Sequence, residues 1–219
     1  DPSGSKVWTS DFGGKLVDVP LGPIADASAL HTITGSDSGV TQIAFTPGGK
    51  VFYVTGSPNG FGNLGSIDLS TFITTGFAAT VEAAHGLVYD GFTGLMTIFG
   101  HGHVGTFDPA SATPFTTLTD FDTGVCDFDQ GAVDGKGHAL IAGCDGITFI
   151  DYSLTGDITA STNYVKFFGG FTGIDDMAPL SGLGAPPPPS TVPEPGSAML
   201  TLVALAGMRY VMRRRLPAS

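Results

Sequence analysis

Glutamate is almost missing from this chain: of 219 residues only Glu82 and Glu194 carry it. Good helix formers are therefore scarce. With 33 glycines and 15 prolines supplying turns, short strands joined by tight turns are expected in place of helices. Basic residues are also rare. Residues 1–185 hold five lysines and no arginine against eighteen aspartates and Glu82, a formal charge of −14. Such a body repels nucleic acid and anionic headgroups and stays soluble, so no nucleic-acid partner is expected. No methionine or apolar leader opens the chain at Asp1, which fits either a removed secretory signal or a fragment. Nucleophile machinery is missing too, with neither Gly-x-Ser-x-Gly nor His-Glu-x-x-His present. The run Gly100–Gly105, GHGHVG, has G-x-G-x-x-G spacing, but TFDP follows it. That reads as a strand end and a turn, not the helix whose N-terminus would hold a phosphate.

What is present is a repeat. TQIAFTPGGKVFYV from Thr41, HGLVYDGFTGLMTI from His85 and DQGAVDGKGHALIA from Asp129 align without gaps, each 44 residues after the last. Each reads as an apolar strand, a Gly-rich turn and a second apolar strand. A third strand then ends near an aspartate, at Asp68, Asp108 and Asp151. The same register pairs DPSGSKVWT from Asp1 with FTPGGKVFY from Phe45, and it ends in GIDDMAPLSG from Gly173. The chain thus begins just after a first strand would end and stops repeating just after one. A ring is implied in which residues 173–179 lie beside the strand starting at Lys6, hiding sheet edges by radial repetition. An all-β propeller of about four 44-residue blades is therefore expected over residues 1–182. A β-sandwich with accidental spacing is the alternative. GSDSG at Gly35–Gly39, with aspartate where a nucleophile would stand, reads as a loop between blades.

Asp134-Gly135-Lys136-Gly137 and Val7-Trp8-Thr9-Ser10-Asp11 resemble β-propeller repeats of the NHL, YVTN and gluconolactonase-like kind, in which a D-x-x-G turn joins the strands. In an antiparallel hairpin centred on Gly135, Cys126 and Cys144 sit opposite one another, within reach of a disulfide worth about 3 kcal/mol. Export would favour the bond. A pair of buried free thiols is the alternative.

Residues 183–196 form a proline-rich linker, APPPPSTVPEP over Ala185–Pro195, stiff and extended. Residues 197–219 follow as an apolar stretch and an arginine cluster, Arg209, Arg213, Arg214 and Arg215. Gly196 to Met212 is 17 residues, the lower limit for spanning hydrocarbon. Arg209 near the end can snorkel, and the terminal arginines hold that end in the cytoplasm with the acidic body outside. A buried core helix is the alternative. The order Val192-Pro193-Glu194-Pro195, short apolar helix, arginine cluster resembles a PEP-CTERM sorting signal. Arg209 within the apolar run and Leu216–Ser219 beyond the arginines depart from that pattern. The resemblance implies an exosortase-type processing partner, transient inner-membrane anchoring through a transmembrane helix, and an outer-surface or extracellular destination in a Gram-negative bacterium that makes extracellular polysaccharide.

Propellers place ligands over the central channel, so the starts of inner strands and the loops joining second to third strands are the expected site. The first group holds Gln42, His85, Asp127, Asp129, Gln130, Asp175 and Asp176. The second holds Asp11, His101, His103 and Asp145. Oxygen-rich sets suit Ca²⁺ or another divalent metal, and imidazoles suit Zn²⁺ or general-base work. His101 and His103 share a face if they lie on one strand, and His85 would be the third ligand. Loop histidines bonded to backbone are the alternative. DFDTG at Asp120 and DFDQG at Asp127 resemble half a calcium loop, or a half-buried strand with aspartates outward. The expected function is a non-catalytic binding or structural module. The alternative is a metal-dependent lactonase or lyase using some of His85, His101, His103, Asp129 and Asp175.

Overall fold

The structure is a computed structural model that describes residues 1–11, 13–21, 29–56, 61–82, 84–111, 119–122, 128–143, 146–171, 174 and 177. The chain divides into two compact units, Asp1–Gly184 and Ala185–Ser219. All of the second lies outside the described residues, and with it the PEP motif, the apolar stretch and the arginines.

Every element described is a strand. Blade A holds β1 (Lys6–Ser10), β2 (Lys15–Pro20) and β3 (Ala29–Thr32). A two-residue strand, β4 (Thr34–Gly35), leads into blade B and pairs in parallel with Ile73 and Thr74. Blade B holds β5 (Gln42–Phe45), β6 (Val51–Val54), β7 (Phe61–Asp68) and β8 (Ile73–Glu82). Blade C holds β9 (Gly86–Tyr89), β10 (Met96–Gly100), β11 (His103–Phe107) and β12 (Thr119–Asp122). Blade D holds β13 (Gly131–Val133), β14 (His138–Gly143), β15 (Gly146–Asp151) and β16 (Tyr164–Gly169). Blades B, C and D are antiparallel meanders with strands in chain order. First, second and third strands lie where the repeat predicts, and a fourth closes each of these blades on its outer side. Blade A has no inner strand among the described residues. Residues 173–179, expected to supply one, are described only at 174 and 177, and neither is in a strand.

The core consists of seams between blades. On β6, Val51 and Tyr53 face backward and pack with Leu16 and Ile33 of blade A and its neighbouring segment. Phe52 and Val54 face forward onto Leu87, Met96, Ile98 and Phe107 of blade C. On β10, Met96 and Ile98 therefore face backward, while Phe99 faces forward onto Val133, Ala139 and Ile141 of blade D. A middle strand buried on both faces has no polar face to show, and every residue of VFYV and of MTIFG is buried. The forward position next to the turn is 4% exposed at Phe52 and 1% at Thr97. At Leu140, where no further blade is described, it is 40% exposed.

The ungapped register is corrected in one place. Thr46 bonds across its turn to Lys50 and Asp134 to His138, but Asp90 reaches Leu95, one residue further. Blade C thus inserts a residue between its first two strands, and the spacing of the middle strands is 45 and then 43 instead of 44. Without this shift Met96 would fall on the forward face, because a one-residue slip turns every side chain over. Similarly, the β13–β14 ladder pairs Gly131 with Ile141 and Val133 with Ala139, centring the hairpin on Lys136, not Gly135. Both cysteines lie outside the described residues.

Two buried polar groups tie strands together, one between blades and one within blade A. The Tyr152 hydroxyl of blade D donates to Asp90 Oδ2 at 3.0 Å, and Asp90 also accepts from Phe92 N and Thr93 Oγ1 in its own turn. Burial, then the Asp90 carboxylate, pushes the Tyr152 phenol well above its ordinary range, so it remains a donor. In blade A, buried Asp18 receives Lys6 Nζ, Ala29 N at 3.1 Å and, at 3.3 Å, His31 Nε2. The Lys6 contact, opposed by burial and helped by His31, holds the Asp18 carboxyl below its ordinary value of 3.8.

Replacing Tyr152 with phenylalanine leaves Asp90 buried with one donor fewer. The expected cost is about 1–3 kcal/mol, seen as a lower urea midpoint at unchanged slope. Asp18 stabilises the fold in its ionised form. Its contribution is complete above the unfolded value near 4 and is lost as pH falls through the lower folded value. Asp18→Asn is expected to lower stability at neutral pH and to flatten the acid limb of the stability curve, read by urea titration at a series of pH values.

Candidate functional site

Many of the described aspartates serve their own backbone. Asp11 accepts from Gly13 N and Lys15 N, Asp134 from Lys136 N and His138 N, and Asp157 from Thr159 N. Asp68, Asp108 and Asp151, at or just past the ends of the third strands, accept from Ser70, Ala110 and Ser153 N respectively. These are Asx turns, the short side chain closing a ring onto the backbone two residues on. Asp11, expected among the channel ligands, is thereby placed in a turn. Asp37 of the GSDSG loop is pinned by Tyr53 Oη and Asn63 Nδ2 at 2.5 and 2.6 Å, a structural role at the junction of blades A and B.

Asp129 sits differently. Thr41, His85 and Asp129 are the same repeat position in blades B, C and D, each just before its inner strand, and all three come to one end of the blades. His85 Nδ1 lies 3.2 Å from Asp129 Oδ1, both side chains about one-third exposed. His85 N donates to Phe99 O and Asp129 N to Ala142 O, so each side chain is held by the neighbouring ladder. Beside them, Gly56 N donates to Thr41 Oγ1 at 2.9 Å. A Cβ on Gly56 would stand 2.6 Å from His85 Cδ2, so only glycine lets the backbone pass this imidazole.

The next position in the repeat is Gln42, Gly86, Gln130. Gln42 and Gln130 reach a recess of about 240 Å³ whose wall also includes Trp8, Thr9, Ser10, Thr41 and Ile43. Blades A and B and the segment entering blade D thus meet at one point. Ser10 Oγ donates to Thr41 O at 3.3 Å and Thr41 Oγ1 to Val54 O at 3.0 Å. The side-chain amides of Gln42 and Gln130 make no hydrogen bond with any described residue, and both residues line this partly enclosed space.

The histidine pair at 101 and 103 departs from expectation. Gly100 pairs with His103, so His101-Gly102 is a two-residue hairpin turn with Gly102 at φ 69°. His101 is exposed at the tip and His103 opens β11. The rings therefore do not share a strand face: a chain reversing direction within two residues breaks the alternation. GHGHVG is accordingly a hairpin. Asp120 and Asp122 lie within β12, in line with the strand reading of DFDTG. Asp127, Asp145, Asp175 and Asp176 lie outside the described residues. Among the described residues no three His, Cys, Asp or Glu side chains converge as metal ligands do. The structure brings together His85 and Asp129, two ligands where a site needs three or more. Gln42 and Gln130 carry no motif in the sequence; the signal that marks them is that they recur at one repeat position.

Gly56→Ala is expected to push the His85 ring off Asp129 and to cost about 1–3 kcal/mol through overpacking. With His85→Ala in the same chain the imidazole clash disappears and a 3.1 Å approach to Thr41 Cγ2 remains, so Gly56→Ala should cost much less in the His85→Ala background than in the parent. A double-mutant cycle in urea measures this coupling.

No family model and no curated protein sequence matches the chain. Solved structures do. The U3-55K structure matches at 12% identity over 80% of this chain and 51% of its own, with a TM-score of 0.58. The RRP9 WD40-repeat structure matches at 12% over the same shares, with a TM-score of 0.57. An auxiliary nutrient binding protein from Bacteroides ovatus matches at 16% over 74% of this chain and 38% of its own, with a TM-score of 0.52. The chain spans about half the length of the WD40-repeat structures it matches. At these identities the likeness concerns the fold alone, and the fold is a β-propeller scaffold.

Proposed function

We propose that this chain is an exported propeller module of the NHL, YVTN and gluconolactonase-like kind, carried to the cell surface by its C-terminal tail and acting there by binding, not by catalysis. The observation that carries the sorting half is the order of three features at the chain end: Pro193-Glu194-Pro195, then the apolar run from Ser197, then Arg213-Arg214-Arg215. The apolar run lodges in the inner membrane with the arginines in the cytoplasm. An exosortase-type enzyme cuts near Pro193–Pro195, and the body is freed or attached outside, among extracellular polysaccharide.

The binding half is supported by what the inner-strand ends present. Two carboxamides, hydroxyls and an indole around a recess can hold a ligand by hydrogen bonds and apolar contact. The His85–Asp129 pair adds one imidazole held by one carboxylate.

Deleting residues 192–219 is expected to move the body from the envelope and surface fractions to a freely soluble exported or retained pool. Fractionation and surface labelling of cells expressing either chain read this. Unchanged distribution of the truncated chain would remove the sorting role.

A further inference from the structure

We infer that the recess around Gln42 and Gln130 binds an uncharged, hydroxyl-rich ligand, a neutral sugar residue. This rests on the binding reading above and names the chemistry of its site. Among the described residues the wall is supplied by Trp8, Thr9, Ser10, Thr41, Gln42, Ile43 and Gln130, with no Lys, Arg, Asp or Glu. A charged ligand would give up water there without meeting an opposite charge, a large cost. A purely apolar ligand would bury the two amides without partners, which is also unfavourable.

A sugar hydroxyl is both donor and acceptor, and so is a carboxamide. Gln42 and Gln130, in alternate blades at one repeat position, offer two such groups from two directions. Both are half-buried and neither is bonded to a described residue. Partly ordered amides lose less freedom on binding than amides in open solvent. Trp8 and Ile43 add apolar surface for the C–H face of a ring. At about 240 Å³ the recess is below the usual range for drug-sized ligands, which suits one ring of a longer chain with the rest outside.

The chain carries a single tryptophan, Trp8, and it lines the recess, so its emission reports occupancy directly. The experiment titrates the full chain, in a detergent without sugar headgroups, with glucose, galactose, mannose and their short oligomers, and with glucuronate as the charged counterpart. The expected result is a saturable change in Trp8 emission with at least one neutral sugar and none with glucuronate. Gln42→Ala or Gln130→Ala should each weaken binding about tenfold, with the thermal midpoint unmoved because neither amide holds the described fold.

If no neutral sugar of the panel alters the emission, the inference is overturned. Sugar binding that persists at parental affinity in a folded Gln42→Ala/Gln130→Ala chain also overturns it, by placing the sugar elsewhere. Either result leaves the tail-dependent surface module standing. Conversely, unchanged localisation on loss of residues 192–219 would remove that module while recess binding stayed measurable.

Discussion

Everything described in this fold depends on the parity of the middle strands. A strand such as Val51–Val54 lies between two seams, so consecutive residues serve different cores: Val51 and Tyr53 pack toward blade A, Phe52 and Val54 toward blade C. Each fully buried side chain of this kind stabilises by roughly 1.5–3 kcal/mol, and a slip of one residue would misdirect all of them at once. The extra residue in the Asp90–Leu95 turn is tolerated because it is compensated before the next blade, leaving inner strands close to a 44-residue spacing. That same constancy brings Thr41, His85 and Asp129 to one end, with Gln42 and Gln130 beside them. The site is thus a consequence of packing parity.

The scarcity of glutamate and the abundance of aspartate share a cause. Third strands end on Asp68 and Asp151 and just before Asp108, each aspartate bonded to the amide two residues later, and Asp134 similarly closes the turn between β13 and β14. The aspartate side chain reaches that amide in an Asx turn, whereas one more methylene spoils the ring. Among the described residues the acidic sequence is largely a record of turns. Asp18 and Asp90 serve another structural purpose, as buried carboxylates accepting donors from neighbouring elements. Asp129 stands apart because its described partner is a histidine of another blade.

The sequence allowed the strand–turn–strand unit to be read because that unit has a double signal, apolar runs and glycine turns. Its fourth strands were not read: β8, ITTGFAATVE, and β16, YVKFFG, have neither a clean alternation nor a turn at a fixed offset. They lie at the outer edge, where one side faces solvent and packing constrains composition weakly. His101 and His103 were open to two readings for a local reason. Two residues separated by one glycine satisfy strand alternation and a two-residue hairpin equally well, and only the pairing of Gly100 with His103 separates the two. Gln42 and Gln130 were included among channel residues by position alone. Glutamine has no titrating chemistry to make it conspicuous, so its significance appears only once two blades bring both amides to one recess.

Charge connects the body to its surroundings. Residues 1–185 carry −14, a field that disfavours anionic partners at long range but is screened within about 8 Å at physiological salt. At the recess itself the local lining decides, and its described residues are neutral, with amides and hydroxyls. An anionic glycan would be opposed by the field on approach and would find no cation among the described wall residues. A cationic ligand would be drawn in but would find no carboxylate among them. A neutral polyol is indifferent to the field and matched by the wall, so the long-range and short-range terms agree only for that class.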